Sequence, residues 1–338
     1  VPKVSVVIPT LNRAGRLEKT IDLIEQQTVS STEYEVLVID NNSRDRTAAV
    51  LAAKAAVYPN LKVFSQLKRG AAATRNVGIR QATGDIVLFI DDDIHAEPNL
   101  IEAHLEYHRQ NPGSAIIGSV VSPWDNSTDP FLRYLRDHKI FNPYTIATGS
   151  LDFSNYHTGN VSTERWRLIE SRGFNEEFQL YGMEDIELGY RLERAGCRMV
   201  AGPGAQGLHL YFPTYEYFID RCHQAGYSLG KMIELHPELR GRFTDHSTAA
   251  RLLKRIHVCY RAFAITVEPL RRWVSQWEER RGTGAVNSLL DKHYQWAVRY
   301  HFFLGYNDYV RGAAGRNADP ITGLRRQRIP GLAMERNE

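Results

Sequence analysis

The sequence is poor in cysteine: three occur in 338 residues, Cys197, Cys222 and Cys259. None form a CxxC pair, which argues against a disulfide framework or a thiolate zinc site and for a reducing compartment. There is no run of 18 uncharged apolar residues, so no transmembrane helix is expected. The chain opens on Val1-Pro2-Lys3 and a strand pattern, and no signal peptide is expected. The glycosylation-like triplets at Asn41, Asn126 and Asn160 therefore carry no meaning. Excess charge is also missing, at a formal +3 overall. With 43 % apolar and 24 % charged residues, the balance excludes disorder as the main state, and collagen or coiled-coil repeats as well. The charge is unevenly placed: residues 1–212 carry a net −4 and residues 213–338 a net +7. Such asymmetry points to two functional parts, the second facing something anionic.

The first 95 residues alternate strand and helix patterns. Val4–Ile8, Glu35–Ile39, Leu61–Phe64 and Ile86–Ile90 are short runs, mostly apolar and β-branched, each closed by polar residues or proline. Between them lie helical spacings through Leu17, Ile21 and Ile24, over Asp45–Ala56 with Ser43 as cap, and over Ala71–Ala82. Strands apolar on both faces belong to parallel sheets covered by helices, so the fold class is α/β with a mostly parallel sheet. Further on, strands are predicted at Ala115–Val121, Phe153–Val161 and Arg198–Ala201, a loop-rich insertion over 122–150, and helices at Glu164–Ser171 and Asp185–Ala195. Beyond residue 213 only helices are predicted, at Tyr215–Leu235, Thr248–Trp273 and Val286–Arg311, followed by a poorly ordered tail from about 316 to 338. This divides the chain into an α/β domain, 1–212, with halves 1–95 and 96–212, and a helical region, 213–338.

Open α/β sheets bind ligands beyond the carboxyl ends of their strands. Four polar groups fall there. Asp91-Asp92-Asp93 follows the apolar fourth strand, and three adjacent carboxylates call for a cation, such as a hard divalent ion. Pro9-Thr10-Leu11-Asn12-Arg13 ends the first strand and offers backbone N–H groups and short polar side chains; a plain βα turn is the alternative. Asp40-Asn41-Asn42-Ser43 ends the second, where Asp40 accepts from a base or ribose or else caps a helix. Gly70 with Arg75 and Asn76 brings a cation that pairs with phosphates, with the aspartates or with a surface carboxylate. Away from these, Gly182-Met183-Glu184-Asp185 starts a helix with two acids, as caps or with one as general base. His209 follows a Gly-rich turn and is a possible metal ligand. Gly202 to Gly207 fits GxGxxG but contains Pro203 and opens no βαβ unit, and His95-Ala96-Glu97 lacks the PCxxC of zinc deaminases.

These motifs, VVIPTLNR (6–13), VIDNNS (38–43), GAAATRNVG (70–78), FIDDD (89–93) and GMEDIEL (182–188), resemble in kind and order those of family 2 glycosyltransferases with the GT-A fold. Gly159-Asn160-Val161-Ser162 is similar to that family's acceptor-side stretch. The resemblance spans about residues 3–212. It implies a GT-A fold and a nucleotide-sugar donor, UDP foremost. Pro9, Thr10, Asn12, Arg13, Asp40, Asn42, Gly70, Arg75, Asp91 and Asp92 would form the donor site, Asp40 reading the base and Asp91 approaching the ribose. Asp93 of the DxD motif and His209 would hold Mn2+ or Mg2+. Asp185 would be the catalytic base, with Glu184, Gly159 and Asn160 on the acceptor side.

A departing nucleoside diphosphate develops negative charge that a divalent ion offsets. A base on the opposite side of the sugar then fits a single in-line displacement with inversion. Retention would need a second carboxylate beneath the ring, and no clear candidate for it is seen. The absence of a QxxRW motif after this region argues for adding one sugar rather than polymerising. The acceptor implied is a glycan or lipid-linked saccharide.

The basic amphipathic stretch 246–275, with Arg251, Lys254, Arg255, Phe263 and Trp273, is expected to touch an anionic membrane, which would place the chain in the cytoplasm at the inner face of the plasma membrane. A helical cap or a homodimer interface is the competing reading. Nucleic-acid binding has no motif to support it. A non-catalytic sugar-nucleotide-binding or scaffold protein is the alternative function on the same fold. A sugar-1-phosphate nucleotidyltransferase lacks its Gly-rich start here.

Overall fold

The computed structural model describes residues 2–124, 127, 129–138, 151–243 and 287–314. Strands β1 (Val4–Thr10), β2 (Tyr34–Asp40), β3 (Leu61–Ser65) and β4 (Ile86–Ile90) pair in parallel, with helices α1 (Ala14–Ile24), α2 (Thr47–Val57) and α3 (Ala71–Gln81) as crossovers. The period-2 geometry of a strand sends Val6 and Ile8 to one face, against Leu17 and Ile21 of α1, and Val7 to the other, against Ile79 of α3. Both faces of β1, β2 and β4 are buried, which is why these strands are largely apolar, whereas the edge strand β3 keeps Lys62, Val63 and Ser65 exposed. In the β1–β2 register Thr10 lies beside Asp40, so two polar strand ends open at one edge.

After β4 come β5 (Ile94–Ala96), α4 (Leu100–Gln110), β6 (Ser114–Val121), α5 (Pro130–Asp137), β7 (Asn160–Glu164), α6 (Arg165–Glu170), α7 (Glu184–Arg194) and β8 (Arg198–His209). The eight strands form one sheet in the order β3-β2-β1-β4-β7-β6-β8-β5, with β7 antiparallel to both β4 and β6. Helices α8 (Tyr215–Leu235), α9 (Arg240–Phe243) and α10 (Asn287–Ala314) follow. An added Cβ on Gly226 or Gly305 would strike the backbone of the opposite helix, at Phe302 and His223 respectively, so α8 and α10 meet at their glycines. Phe131 of α5 sits in a ring of Tyr134, Tyr215, Phe218 and Tyr294 that joins α5 to this pair.

Several expectations are corrected. Phe153–Val161 is not a strand: Asp152 accepts from Ser154 N, Asn155 caps back onto Asp152, and a 3-10 turn over Phe153–Asn155 precedes β7. Two polar residues able to hydrogen-bond their own backbone decide against the extended form. The stretch 122–150 contains α5, capped by Asp129, whose Oδ1 accepts from Phe131 and Leu132, with Pro130 at the first position. Ser43 does not cap α2; Asp45 accepts from Thr47 N, and Ser43 Oγ accepts from Asn12 N instead. β8 runs on through the GxGxxG stretch to His209, where a side chain at Gly202 would collide with Ile116 and Tyr107. The helix expected at Thr248–Trp273, the stretch 246–275 and the tail lie outside the described residues. No helix among the described residues is long and apolar enough to cross a membrane.

Two histidines of α4 pass under β7. His104 is wholly buried, with one ring nitrogen on Asn160 Oδ1 and the other on Ser162 Oγ, each at 2.8 Å, and His108 Nε2 also meets Ser162 Oγ. Burial lowers both imidazole pKa values to about 4, so both stay neutral in the folded protein. An unfolded histidine titrates near 6.5, so the stability this neutrality contributes is present above about 6.5 and lost as pH falls through about 4. Urea midpoints are expected to fall from pH 7 to pH 4.5. His108→Gln is expected to flatten that slope.

Candidate active site

The carboxyl ends of β1, β2 and β4 converge on one polar cluster. Thr10 Oγ1 donates to Asp92 Oδ2 at 2.7 Å, and Thr20 of α1 donates to the Asp92 carbonyl at 2.9 Å. Arg13 Nη1 reaches Asp93 Oδ2 at 2.6 Å and Asp92 Oδ1 at 3.3 Å, with Arg16 3.6 Å from Asp93. Burial pushes the Asp92 carboxyl up to about 7, against the opposing pull of Arg13. Burial would raise Asp93 too, but the hydrogen bond and charge of His209, with Arg13, hold it at about 2. Adjacent aspartates thus differ by their partners, and Asp93 is the one fixed as an anion. His209 Nε2 stands 3.3 Å from Asp93 Oδ1 because β5 and β8 pair Ile94 with His209.

Asn12 has φ 53°, which turns the chain so that its Oδ1 accepts from Arg44 N. Asp40 Oδ1 accepts from Ser43 N, and its Oδ2 has no partner among the described residues. Asn42 also has positive φ, at 63°, and is exposed on the rim. Asn41 is buried instead: its amide donates to the carbonyls of Gln66 and Lys68 and accepts from Gly70 N, shaping the start of α3.

Arg75 of α3 is 6 % exposed and joins two parts of the chain. Nη2 donates to Asp91 Oδ1 at 2.9 Å and Nη1 to Glu184 Oε1 at 3.2 Å. Gly159 lies against Asp91, where a Cβ would stand 3.6 Å from Oδ2. The turn before α7 has two left-handed residues, Gly182 and Met183, which set Glu184 and Asp185 in the first helical turn. Burial, and then the charge of Asp185, push Glu184 up to about 7 although Arg75 opposes them. Burial acts on Asp185 as well, but His157, whose Nδ1 is 3.4 Å from Oδ2, together with Arg75 and the Ile186 N–H, outweighs it and lowers the pKa. Of this pair Asp185 is the ionised member.

Asn160 is not brought into the cluster. Its side chain is 1 % exposed and spent on His104, the Ser119 carbonyl and the Ala205 carbonyl. Sequence reasoning passed over His157, Thr20, Tyr181 and Arg221. His157 stood two residues before the noted Gly159, but its contact with Asp185 crosses 28 residues and leaves no local signal.

One carboxylate and one imidazole, Asp93 and His209, suit a first-row divalent ion as part of its shell. Among the described residues no group of three or more His, Cys, Asp or Glu is placed to hold a metal. Water or substrate oxygens are the ordinary means of completing such a shell.

The sequence pattern described as glycosyl transferase family 2 matches residues 5–179, and that of the N-terminal domain of galactosyltransferase matches residues 146–215. Validoxylamine A glucosyltransferase of Streptomyces hygroscopicus subsp. jinggangensis (strain 5008) is 29 % identical over 272 residues, covering 71 % of this chain and 62 % of the relative. The chain spans about three fifths of the length of such curated relatives. A mannosyltransferase from Pyrobaculum calidifontis, solved with GDP-Man and Mn2+, superposes with TM-score 0.59 at 18 % identity, covering 91 % of this chain and 87 % of that one. TarS 1–349 of S. aureus, solved with UDP, superposes with TM-score 0.51 at 15 % identity, covering 93 % and 91 %. At such identities the likeness carries the fold, and it bears out the GT-A expectation.

Removing one member of a buried ion pair strands the other, at a cost of about 3–5 kcal/mol. Arg75→Ala is therefore expected to lower unfolding free energy by about 3 kcal/mol, read from urea titrations. Arg75→Lys is expected to recover only part, since an ammonium lacks the fork that spans two carboxylates.

Proposed function

We propose, for a chain that belongs to glycosyl transferase family 2, transfer of a sugar from a nucleoside diphosphate donor to an acceptor hydroxyl in one inverting displacement. The observation that carries this reading is the Arg75 bridge, which ties Asp91 at the end of β4 to Glu184, the neighbour of the ionised Asp185. The donor nucleotide lies over the ends of β1, β2 and β4. Asp40 offers its open oxygen to a base N–H, the Asn12 turn lies next to it, and Asp91 faces the ribose. UDP is the favoured nucleotide. The solved neighbours bind GDP-Man or UDP, which supports a nucleotide-sugar donor without choosing between bases.

Asp93 and His209 would hold Mn2+ or Mg2+, whose positive charge would offset the charge developing on the leaving diphosphate. Asp185 takes the proton of the attacking hydroxyl, with His157 orienting its carboxylate and Arg75 keeping it ionised. Glu184, whose carboxyl burial pushes up to about 7, hydrogen-bonds the acceptor, and Gly159 leaves space beside Asp91. The acceptor is a glycan or lipid-linked saccharide, and one sugar is added per event. The net +7 of residues 213–338 supports contact with an anionic membrane surface through 246–275.

Calorimetric titration of UDP, GDP and dTDP, each with Mn2+ and then with excess EDTA, tests the donor half. Metal-dependent binding of one nucleotide is expected, and binding of none would overturn the reading. Asp185→Asn is expected to lose transfer by about 100-fold or more while binding nucleotide as before. A binding-only protein would show no transfer in either form. Asp93→Ala is expected to abolish the difference that Mn2+ makes to nucleotide affinity; an unchanged difference would remove Asp93 from the metal site.

A further inference from the structure

The cations around the site differ in how they are paired. Arg13 and Arg75 each hold two carboxylates. Arg221 of α8 forms no ion pair among the described residues. Its guanidinium carbon lies 4.1 Å from the ring centroid of Tyr181 and 5.0 Å from that of Tyr217. Nε donates to Tyr217 Oη at 2.9 Å, and Nη2 donates to the same oxygen. The adjacent Asp220 accepts from Gln224 instead. Contact with two aromatic faces steadies a guanidinium but does not neutralise it. A half-buried cation of this kind keeps its capacity for an anion.

Its position is tied to the base. Tyr181 precedes Asp185 by four residues and lies within electrostatic reach of Asp185, Glu184 and Asp91. Helix α8 grips the same segment: Tyr181 N donates to Gln224 Oε1, and Ser228 Oγ donates to the Tyr181 carbonyl. Tyr217, in turn, lies within electrostatic reach of Arg13. Tyr181 and Tyr217 are 41 % and 39 % exposed, large apolar surfaces left open beside a charged site. The apolar face of a sugar ring packs on such rings, and a guanidinium takes carboxylate or phosphate through a planar fork.

We propose that Arg221, framed by Tyr181 and Tyr217, binds an anionic group of the acceptor, so that the acceptor is an acidic saccharide bearing a carboxylate or phosphate near the attacking hydroxyl. This rests on the glycosyl-transfer reading above and adds the substrate class to it. Arg221 belongs to acceptor binding, not to donor binding or proton transfer. A carboxylate and a phosphate share this chemistry and are separated by the choice of probe.

The test is calorimetric titration of the full chain with methyl β-D-glucuronide, methyl β-D-glucoside 6-phosphate and neutral methyl β-D-glucoside, with UDP, GDP and dTDP titrated in parallel. At least one acidic glycoside is expected to bind about tenfold tighter than the neutral one, the worth of one charge-assisted hydrogen bond. The tighter of the two acids names the anion. Arg221→Ala is expected to erase the preference and leave nucleotide affinity within about twofold, while Arg221→Lys keeps part of it. Circular dichroism checks that each variant folds, and the lysine variant carries the comparison if the alanine variant does not. Equal or undetectable binding of all three glycosides, or a preference that survives Arg221→Ala, overturns the proposal. If that happens while a nucleotide still binds, this inference alone falls; if no nucleotide binds either, the transfer reading falls with it.

Discussion

A guanidinium removed from water must be paired, and Arg75 is paired twice. That requirement locks three distant pieces of chain: the end of β4 through Asp91, the start of α7 through Glu184, and α3, which carries the arginine. Phe174 closes the packing, with its ring centroid 5.8 Å from the guanidinium carbon. Because Glu184 fills one arm of the fork, its neighbour Asp185 is presented beside the cation. The charge of Arg75 then helps keep Asp185 ionised. Geometry and protonation of the pair therefore have a common origin.

The same logic runs through Asp92 and Asp93. Two adjacent carboxylates in a buried place cannot be treated alike, and they separate according to their partners. Asp92, turned toward Thr10 and the core, is pushed toward neutrality. Asp93, turned toward Arg13 and His209, remains an anion. Such a division yields one carboxylate that braces the loop through Thr10 and one that keeps its charge beside Arg13 and His209.

The legible parts of the fold and site were those governed by local rules. Both-face burial made β1, β2 and β4 continuous apolar runs, and polar residues at strand ends marked the edge where Thr10, Asp40 and Asp91 to Asp93 lie. The illegible parts depended on distant partners. Helix α4 went unmarked because its buried face starts on Leu100 and Ile101 but continues through His104 and His108, which interrupt the apolar stripe. Asn160 read as a ligand-facing amide because nothing local reveals that His104 and two carbonyls consume it. Arg221 resembled any helical surface cation until Tyr181 and Tyr217 were seen around it. The cap at Asp129-Pro130 was readable in principle, but it lay in a stretch whose composition reads as loop.

The glycines where α8 and α10 cross have a wider implication. Gly226 and Gly305 let the two helices touch backbone to backbone, and Gly230 makes the same allowance for Tyr309. The two helices therefore pack as one closely fitted unit, and α8 carries Tyr217 and Arg221. Asp185, the proposed base, is by contrast carried by α7. On the reading proposed above, substitutions confined to this helix pair alter which acceptors are taken and leave the chemistry on α7 in place.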